Sequence, residues 1–333
     1  MAKKSFLQAM MDAIVYSFET DPTTRVVGPH FASSRPLRED TRKAFFETYK
    51  DRSLQPPISE SAIASLGAGA AMAGLRPLVN FGTATFAFEA WNQIVNEAAN
   101  AHFMSGGQIT VPVIFHMFAG IRGSGGVQHS QSPQSAFANS PGLQLIMPAS
   151  PADMQGLLRT AFKSPNPTIL INHVKLQGLE AEVPDGDFAI PFGKAEVKRR
   201  GKDVTVVAMG LMTVRALAAA EALAREGIDV EVVDLRSIVP LDRDTVIASV
   251  KKTGRLVALD EASATCSIAS EIVAIVAEAG LALKCPPSRV ARPDVPVGYS
   301  PPIEDFVTPN VDRITEGVRR AVKQPSIGSP SPI

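Results

Sequence analysis

Glu60 follows Pro57-Ile58-Ser59 and precedes a run of small residues, Ser61-Ala62-Ile63-Ala64-Ser65-Leu66-Gly67-Ala68-Gly69-Ala70-Ala71-Met72-Ala73-Gly74. That composition predicts a thin helix whose backbone can approach a neighbour, with Ser59 as its N-cap and the Glu60 carboxylate held ionised by the positive end of the helix dipole. A first-turn acid also has a purely structural explanation, because it stabilises a helix by about 0.3–1 kcal/mol. His129, one of only five histidines, follows Gly123-Ser124-Gly125-Gly126. Glycines there let the backbone come close to a ligand, and an imidazole with an ordinary pKa of about 6.5 suits proton transfer near neutral pH. A lone loop histidine is otherwise simply solvated, and Phe86 is by default a core residue.

Several chemistries are excluded. Gly67-Ala68-Gly69-Ala70-Ala71-Met72 lacks the third glycine of a dinucleotide fingerprint and lies inside a helical pattern. No G-x-S-x-G elbow surrounds Ser105 or Ser130, and no P-loop occurs. Lys+Arg and Asp+Glu balance at 33 each, so no basic field draws in nucleic acid or an anionic membrane. The two cysteines, Cys266 and Cys285, have neither disulfide-framework nor zinc-site spacing, which fits a reducing compartment. The first residues run directly into an amphipathic pattern (Phe6, Met10, Ile14, Val15, Phe18) with no signal or transit features, and no apolar run reaches the roughly 20 residues of a membrane span. A cytoplasmic protein is expected.

The elements that must position these side chains alternate between strand and helix. A helix is expected over 5–19, a strand over 24–28, a polar loop over 29–57 with a helical patch near 38–49, and the Glu60 helix. A strand over 76–81, a long helix over 88–103, a β-branched strand over 111–116 and a glycine-rich loop over 120–126 follow, the loop lying where open α/β sheets place ligands. Strand 143–148, helix 152–164 and strand 167–173 complete the first half. The second half alternates again: strands over 204–209, 230–235, 256–259 and 290–291, with helices over 213–226, 242–253 and 267–279. The pattern specifies an α/β fold with two doubly wound parallel-sheet domains, 1–180 and 204–323, joined by a linker over 181–203. The tail, 324–333, lacks apolar periodicity and is expected to be disordered.

Taken together, Pro57-Ile58-Ser59-Glu60, Phe81-Gly82-Thr83-Ala84-Thr85-Phe86, Met104-Ser105-Gly106-Gly107 and His129-Ser130-Gln131-Ser132-Pro133 resemble one family in order and spacing. It is the β subunit of the thiamine-diphosphate-dependent E1 component of 2-oxo acid dehydrogenase complexes, the group that includes pyruvate, branched-chain 2-oxo acid and acetoin dehydrogenases. The resemblance runs from about residue 56 onward and includes Pro240-Leu241-Asp242 and Asp294-Val295-Pro296. It implies a transketolase-like pyrimidine-binding domain followed by a transketolase C-terminal-like domain that builds a dimer interface and docks the lipoyl E2 core.

The same resemblance implies site roles. Glu60 hydrogen-bonds N1′ of the cofactor's aminopyrimidine and so promotes loss of the thiazolium C2 proton, a task for a carboxyl group in a partly desolvated slot with a raised pKa. Phe86 packs against the pyrimidine ring, and His129 sits near the reacting 2-oxo acid and the acyl-accepting lipoyl group. The Gly-Asp-Gly segment that anchors the diphosphate through Mg2+ is missing, since Gly186-Asp187 is followed by Phe188. The implied partner is therefore an α subunit that holds the diphosphate and Mg2+ in an α2β2 heterotetramer. A structural K+ ion is implied at the backbone oxygens of Val113, Ala161, Phe162, Ser164 and Asn166, although Ser164 replaces the usual aspartate. Gly28-Pro29-His30-Phe31 replaces the family's acidic pattern, and Gly82-Thr83-Ala84-Thr85 is smaller than the usual run, changes compatible with a specialised substrate. Two alternatives stand beside the E1 β subunit: a split transketolase-like subunit moving a two-carbon unit, and a non-catalytic assembly subunit.

Overall fold

A computed structural model of the chain describes residues 1–28 and 39–323. The expected changes at Pro29, His30 and Phe31 and the expected disordered tail lie outside the described residues. The chain divides into two compact units, 1–122 with 128–192, and 123–127 with the residues from 193 on.

The first unit opens with strand β1 (Ala2–Ser5) and helix α1 (Phe6–Thr20), whose N-cap Ser5 Oγ accepts the Gln8 N–H at 3.1 Å. Strand β2 (Thr24–Val27), helix α2 (Glu39–Thr48), strand β3 (Ser53–Leu54), helix α3 (Glu60–Met72) and strand β4 (Arg76–Thr83) follow. Then come α4 (Ala101–Met104), β5 (Ile114–Ala119), α5 (Gln134–Ala138), β6 (Gln144–Ile146), α6 (Pro151–Lys163), β7 (Thr168–His173) and β8 (Glu180–Val183). Six strands form a parallel sheet in the order β6-β7-β5-β4-β2-β3. Every residue of β5 and β7 is buried, the pattern of strands covered on both faces. Of the amphipathic positions expected in α1, Phe6, Met10, Ile14 and Phe18 are buried and Val15 is half-buried.

The second unit holds β9 (Glu196–Arg199), β10 (Val204–Ala208), α7 (Leu211–Ala224), β11 (Val230–Asp234), β12 (Ser237–Val239), α8 (Arg243–Thr253), β13 (Leu256–Ser263), α9 (Ile268–Glu278), β14 (Ser288–Arg292), α10 (Pro301–Val307) and α11 (Val311–Lys323). Its sheet runs β14-β13-β10-β11-β9, parallel except for β9, which pairs antiparallel with β11. Helix α8 begins at Asp242, whose Oδ1 accepts the Thr245 N–H at 3.1 Å, and ends on Gly254 with φ 74°, where glycine meets no Cβ penalty.

Four expectations need correction. The stretch 181–203 is not plain linker: β8 pairs antiparallel with β1, and β9 edges the second sheet. The strand expected over 111–116 starts later, at Ile114, because Pro112 has no N–H to donate and Val113 N–H turns back to the Val111 carbonyl at 2.8 Å. The single helix expected over 88–103 is broken. The last two helices, α10 and α11, lie beyond the final expected strand.

Candidate active site

Helix α3 lies so close to β4 that a Cβ added at Gly67 would sit 2.2 Å from Val79 Cγ2, which explains the run of small residues. Ser59 occupies the N-cap position with extended backbone, but its side chain makes no capping hydrogen bond, contrary to expectation. The first turn is held instead by Ser61, whose Oγ donates to the Glu89 carbonyl at 2.5 Å. Glu60, half-buried as the first helical residue, has a carboxylate paired with no other described residue.

After β4 the chain makes tight 3₁₀ turns over Ala84–Ala90 and wide π-type turns over Asn92–Ala98. The Ala99 N–H reaches the Ile94 carbonyl at 3.0 Å, and the Asn100 amide donates to the Val95 carbonyl at 2.9 Å. Such turns gather at functional sites. They carry the half-buried Phe86, whose ring meets His129 edge-on with centroids 5.3 Å apart and planes at 80°. The Gly120 N–H donates to the Gln131 carbonyl at 3.2 Å, so the loop leaves β5 and returns to its carboxyl end with His129 in hand. Phe86 and His129 are thus in contact, and the strut from Ser61 to Glu89 ties the helix that presents Glu60 to the segment that presents Phe86.

The five carbonyls expected around K+ all have partners. Val113 O accepts from Thr168 N–H at 2.8 Å and Ala161 O from Ser164 N–H at 3.1 Å. Phe162 O and Ser164 O both accept from Arg76 Nη1, at 2.9 and 2.8 Å, and Asn166 O faces the hydroxyls of Ser164 and Thr168. Oxygen-only ligation suits a hard cation and each carbonyl keeps a second lone pair, but Arg76 already brings positive charge to two of the five. Asp187 serves the fold, accepting from Tyr16 Oη at 2.6 Å and facing Arg159 at 3.4 Å. No group of three or more acidic, histidine or cysteine side chains that could hold a metal occurs among the described residues.

Two features at the carboxyl ends of β4, β5 and β7 were missed in the sequence. Arg122 Nη2 donates to Thr83 Oγ1 at 3.0 Å while its Nε is buried without a partner, and burial among neutral groups lowers its pKa. His116, fully buried, has its pKa lowered to about 4 by desolvation, and its Nε2 donates to Asn172 Oδ1 at 2.9 Å. The signals were a lone cation in a glycine loop and a histidine inside a β-branched strand.

The two sheets and the small-residue helix define a transketolase-type chain: residues 2–178 match the transketolase pyrimidine-binding domain and 193–314 the transketolase C-terminal domain. The chain is 40% identical over 334 residues to the beta subunit of acetoin:2,6-dichlorophenolindophenol oxidoreductase from Cupriavidus necator, covering 97% of this chain and 99% of that one. It is 39% identical over 321 residues to the pyruvate dehydrogenase E1 component subunit beta of Rhizobium meliloti (96% and 70% covered). For the 2-oxoisovalerate dehydrogenase subunit beta of Bacillus subtilis, identity is 36% over 322 residues (96% and 98%). A split-gene transketolase solved as an inactive beta4 tetramer superposes with a TM-score of 0.79 at 25% identity, covering 96% of this chain and 98% of that one. The chain belongs to the transketolase-like family of E1 β subunits of 2-oxo acid and acetoin dehydrogenases. No described helix is long and apolar enough to cross a membrane.

Proposed function

We propose that this chain is the β subunit of a heteromeric E1 component in the cytoplasm, active only with an α subunit in an α2β2 assembly. It supports thiamine-diphosphate-dependent decarboxylation of a 2-oxo acid, or cleavage of acetoin, and reductive acylation of a lipoyl group on E2. The observation that carries this is the Phe86–His129 ring contact beside the helix whose first residue is the unpaired Glu60. Thiamine diphosphate, when bound, supplies a nucleophilic carbon that also serves as an electron sink. Glu60 holds a proton at the pyrimidine N1′, Phe86 orients the ring, and His129 moves a proton at the substrate oxygen or the lipoyl sulfur. The α subunit holds the diphosphate through Mg2+. A K+ ion, if bound, would be held by the backbone oxygens of Val113, Ala161, Phe162, Ser164 and Asn166, two of which also accept from Arg76; a melting temperature that does not respond when K+ replaces Na+ counts against it.

Identity of 36–40% to E1 β subunits, against 25% to the split transketolase, favours this assignment over two-carbon transfer. The split transketolase's β chains form an inactive tetramer, which agrees with a need for a partner chain. The test is dye-acceptor reduction by the chain with and without its α partner, on pyruvate, branched 2-oxo acids, acetoin and ketose phosphates. Turnover requires the partner, and Glu60→Gln lowers it by about 10²–10⁴ with the fold intact. Unchanged turnover in Glu60→Gln sinks the catalytic role, and no turnover by the wild-type complex favours an assembly subunit.

A further inference from the structure

Some buried arginines face acids. Arg215 lies 3.6 Å from Glu261, Arg159 is 3.4 Å from Asp187, and Arg292 sits in the field of Glu261, Asp260 and Asp294. Arg122 and Arg255 differ: both are half-buried, face no carboxylate among the described residues and leave Nε buried and unsatisfied, but Arg255 Nη1 donates to the Asp203 carbonyl in the second unit, whereas Arg122 has only the Thr83 hydroxyl, through Nη2. A desolvated cation without an anion is unfavourable, and such a charge is best explained where a ligand brings the missing anion.

Its position says which ligand. Thr83 closes β4 just ahead of Phe86, and Arg122 lies in the loop that leaves β5 and returns with His129. Both segments lead toward the rim of the Phe86–His129 contact, and the forked N–H groups of a guanidinium match a carboxylate in two-point fashion. An acyloin brings no charge to that rim. The cofactor's own charge is its diphosphate, held on the α side.

We propose that Arg122 is a specificity-determining residue that binds the carboxylate of the acyl donor, so that this site takes a 2-oxo acid in preference to a neutral acyloin. The proposal rests on the E1 assignment above. Its test compares wild type, Arg122→Gln and Arg122→Lys in the reconstituted α/β enzyme, with steady-state constants for pyruvate, 2-oxoisovalerate and acetoin, the thiamine diphosphate dissociation constant, and assembly by sedimentation. Arg122→Gln raises KM for the 2-oxo acids by on the order of tenfold or more, as expected for loss of a charge-assisted pair. It leaves cofactor affinity, assembly and any acetoin KM unchanged, and Arg122→Lys recovers part of the loss. Unchanged 2-oxo acid KM, an equal rise for acetoin, weakened cofactor binding, or weakened assembly from a lost pair with an α-subunit acid would each overturn it. So would a wild type that cleaves acetoin but no 2-oxo acid. If the wild-type complex turns over no donor, the E1 assignment itself fails; equal binding of pyruvate to wild type and Arg122→Gln, by calorimetry, then overturns the Arg122 proposal separately.

Discussion

The two units share a parallel sheet flanked by helices, yet they treat buried polarity differently. In the second, Glu231 accepts from Gly201 N–H, Ser249 and Lys252, and Asp260 accepts from the N–H groups of Ala262 and Ile268. In the first, Asn80 and His116 are register neighbours on β4 and β5, with Asn172 on β7 hydrogen-bonded to His116, and each of the three keeps a buried nitrogen without a partner. Thr85, Arg122 and Ser130 add further unsatisfied atoms at the same end of the strands. Satisfied polar groups fix a fold, whereas unsatisfied ones concentrate where a protein trades stability for chemistry. The second unit has unpaired atoms too, at Arg255, Ser288 and Arg292, so the contrast lies in where they gather: those of the first sheet line the strands that lead to Phe86 and His129, which supports the site proposed there.

The sharpest way to break that contrast is His129→Ala. It should lower turnover of the assembled enzyme by about 10²–10⁴ while the melting temperature of the chain stays unchanged, because the half-buried ring contributes an edge contact and little packing. A melt that collapses together with activity would make the residue structural.

Next in size is an acid-sensitive first sheet. Folded His116 titrates at about 4, against an ordinary 6.5 for the unfolded chain. As pH falls, the unfolded chain binds the proton first. The neutral native state is thus fully favoured above about pH 6.5, loses ground down to about pH 4 and loses no more below it, a total of roughly 3 kcal/mol. Denaturant unfolding at stepped pH should show this slope in wild type and lack it in His116→Gln, which keeps a donor for Asn172. Equal slopes would remove the histidine from the explanation.

Gly67→Val is expected to cost about 1–3 kcal/mol by pressing α3 off β4, and to weaken cofactor binding because Glu60 moves with the helix. Thermal melts and cofactor titration read the two effects separately. The smallest effect belongs to the second unit: breaking the solvent-exposed Arg243–Glu278 pair, 2.7 Å apart, with Arg243→Ala should leave both stability and turnover within error. A loss of activity there would erase the division of labour.

Much of the frame was legible because the apolar periods are clean. The small-residue run after Glu60 fits only a closely packed helix, and the buried strands read directly from β-branched runs such as Val204–Ala208. The break after β4 was not legible, since Asn92, Asn96 and Asn100 keep a helical spacing whether the turn is α or π. What decides it is backbone: the Ala99 N–H reaches the Ile94 carbonyl five residues back, and the Asn100 side-chain amide then bonds the carbonyls of Val95 and Asn96. Strand β1 was hidden because Ala2-Lys3-Lys4-Ser5 shows no apolar alternation and gains its partner, β8, only from the distant end of the first unit. For the site, Glu60, Phe86 and His129 could be named from motif and spacing, but the contact between Phe86 and His129 is tertiary. So is the isolation of Arg122 from any acid among the described residues, which no local pattern encodes.

The central claim is that the Glu60 carboxylate sits on the pyrimidine of bound thiamine diphosphate. Exchange of the cofactor's C2 proton into deuterium oxide, followed by NMR on the reconstituted complex, tests it most directly. Exchange at least about a hundredfold slower in Glu60→Gln than in wild type, with cofactor still bound, is the predicted result; equal exchange rates would contradict it.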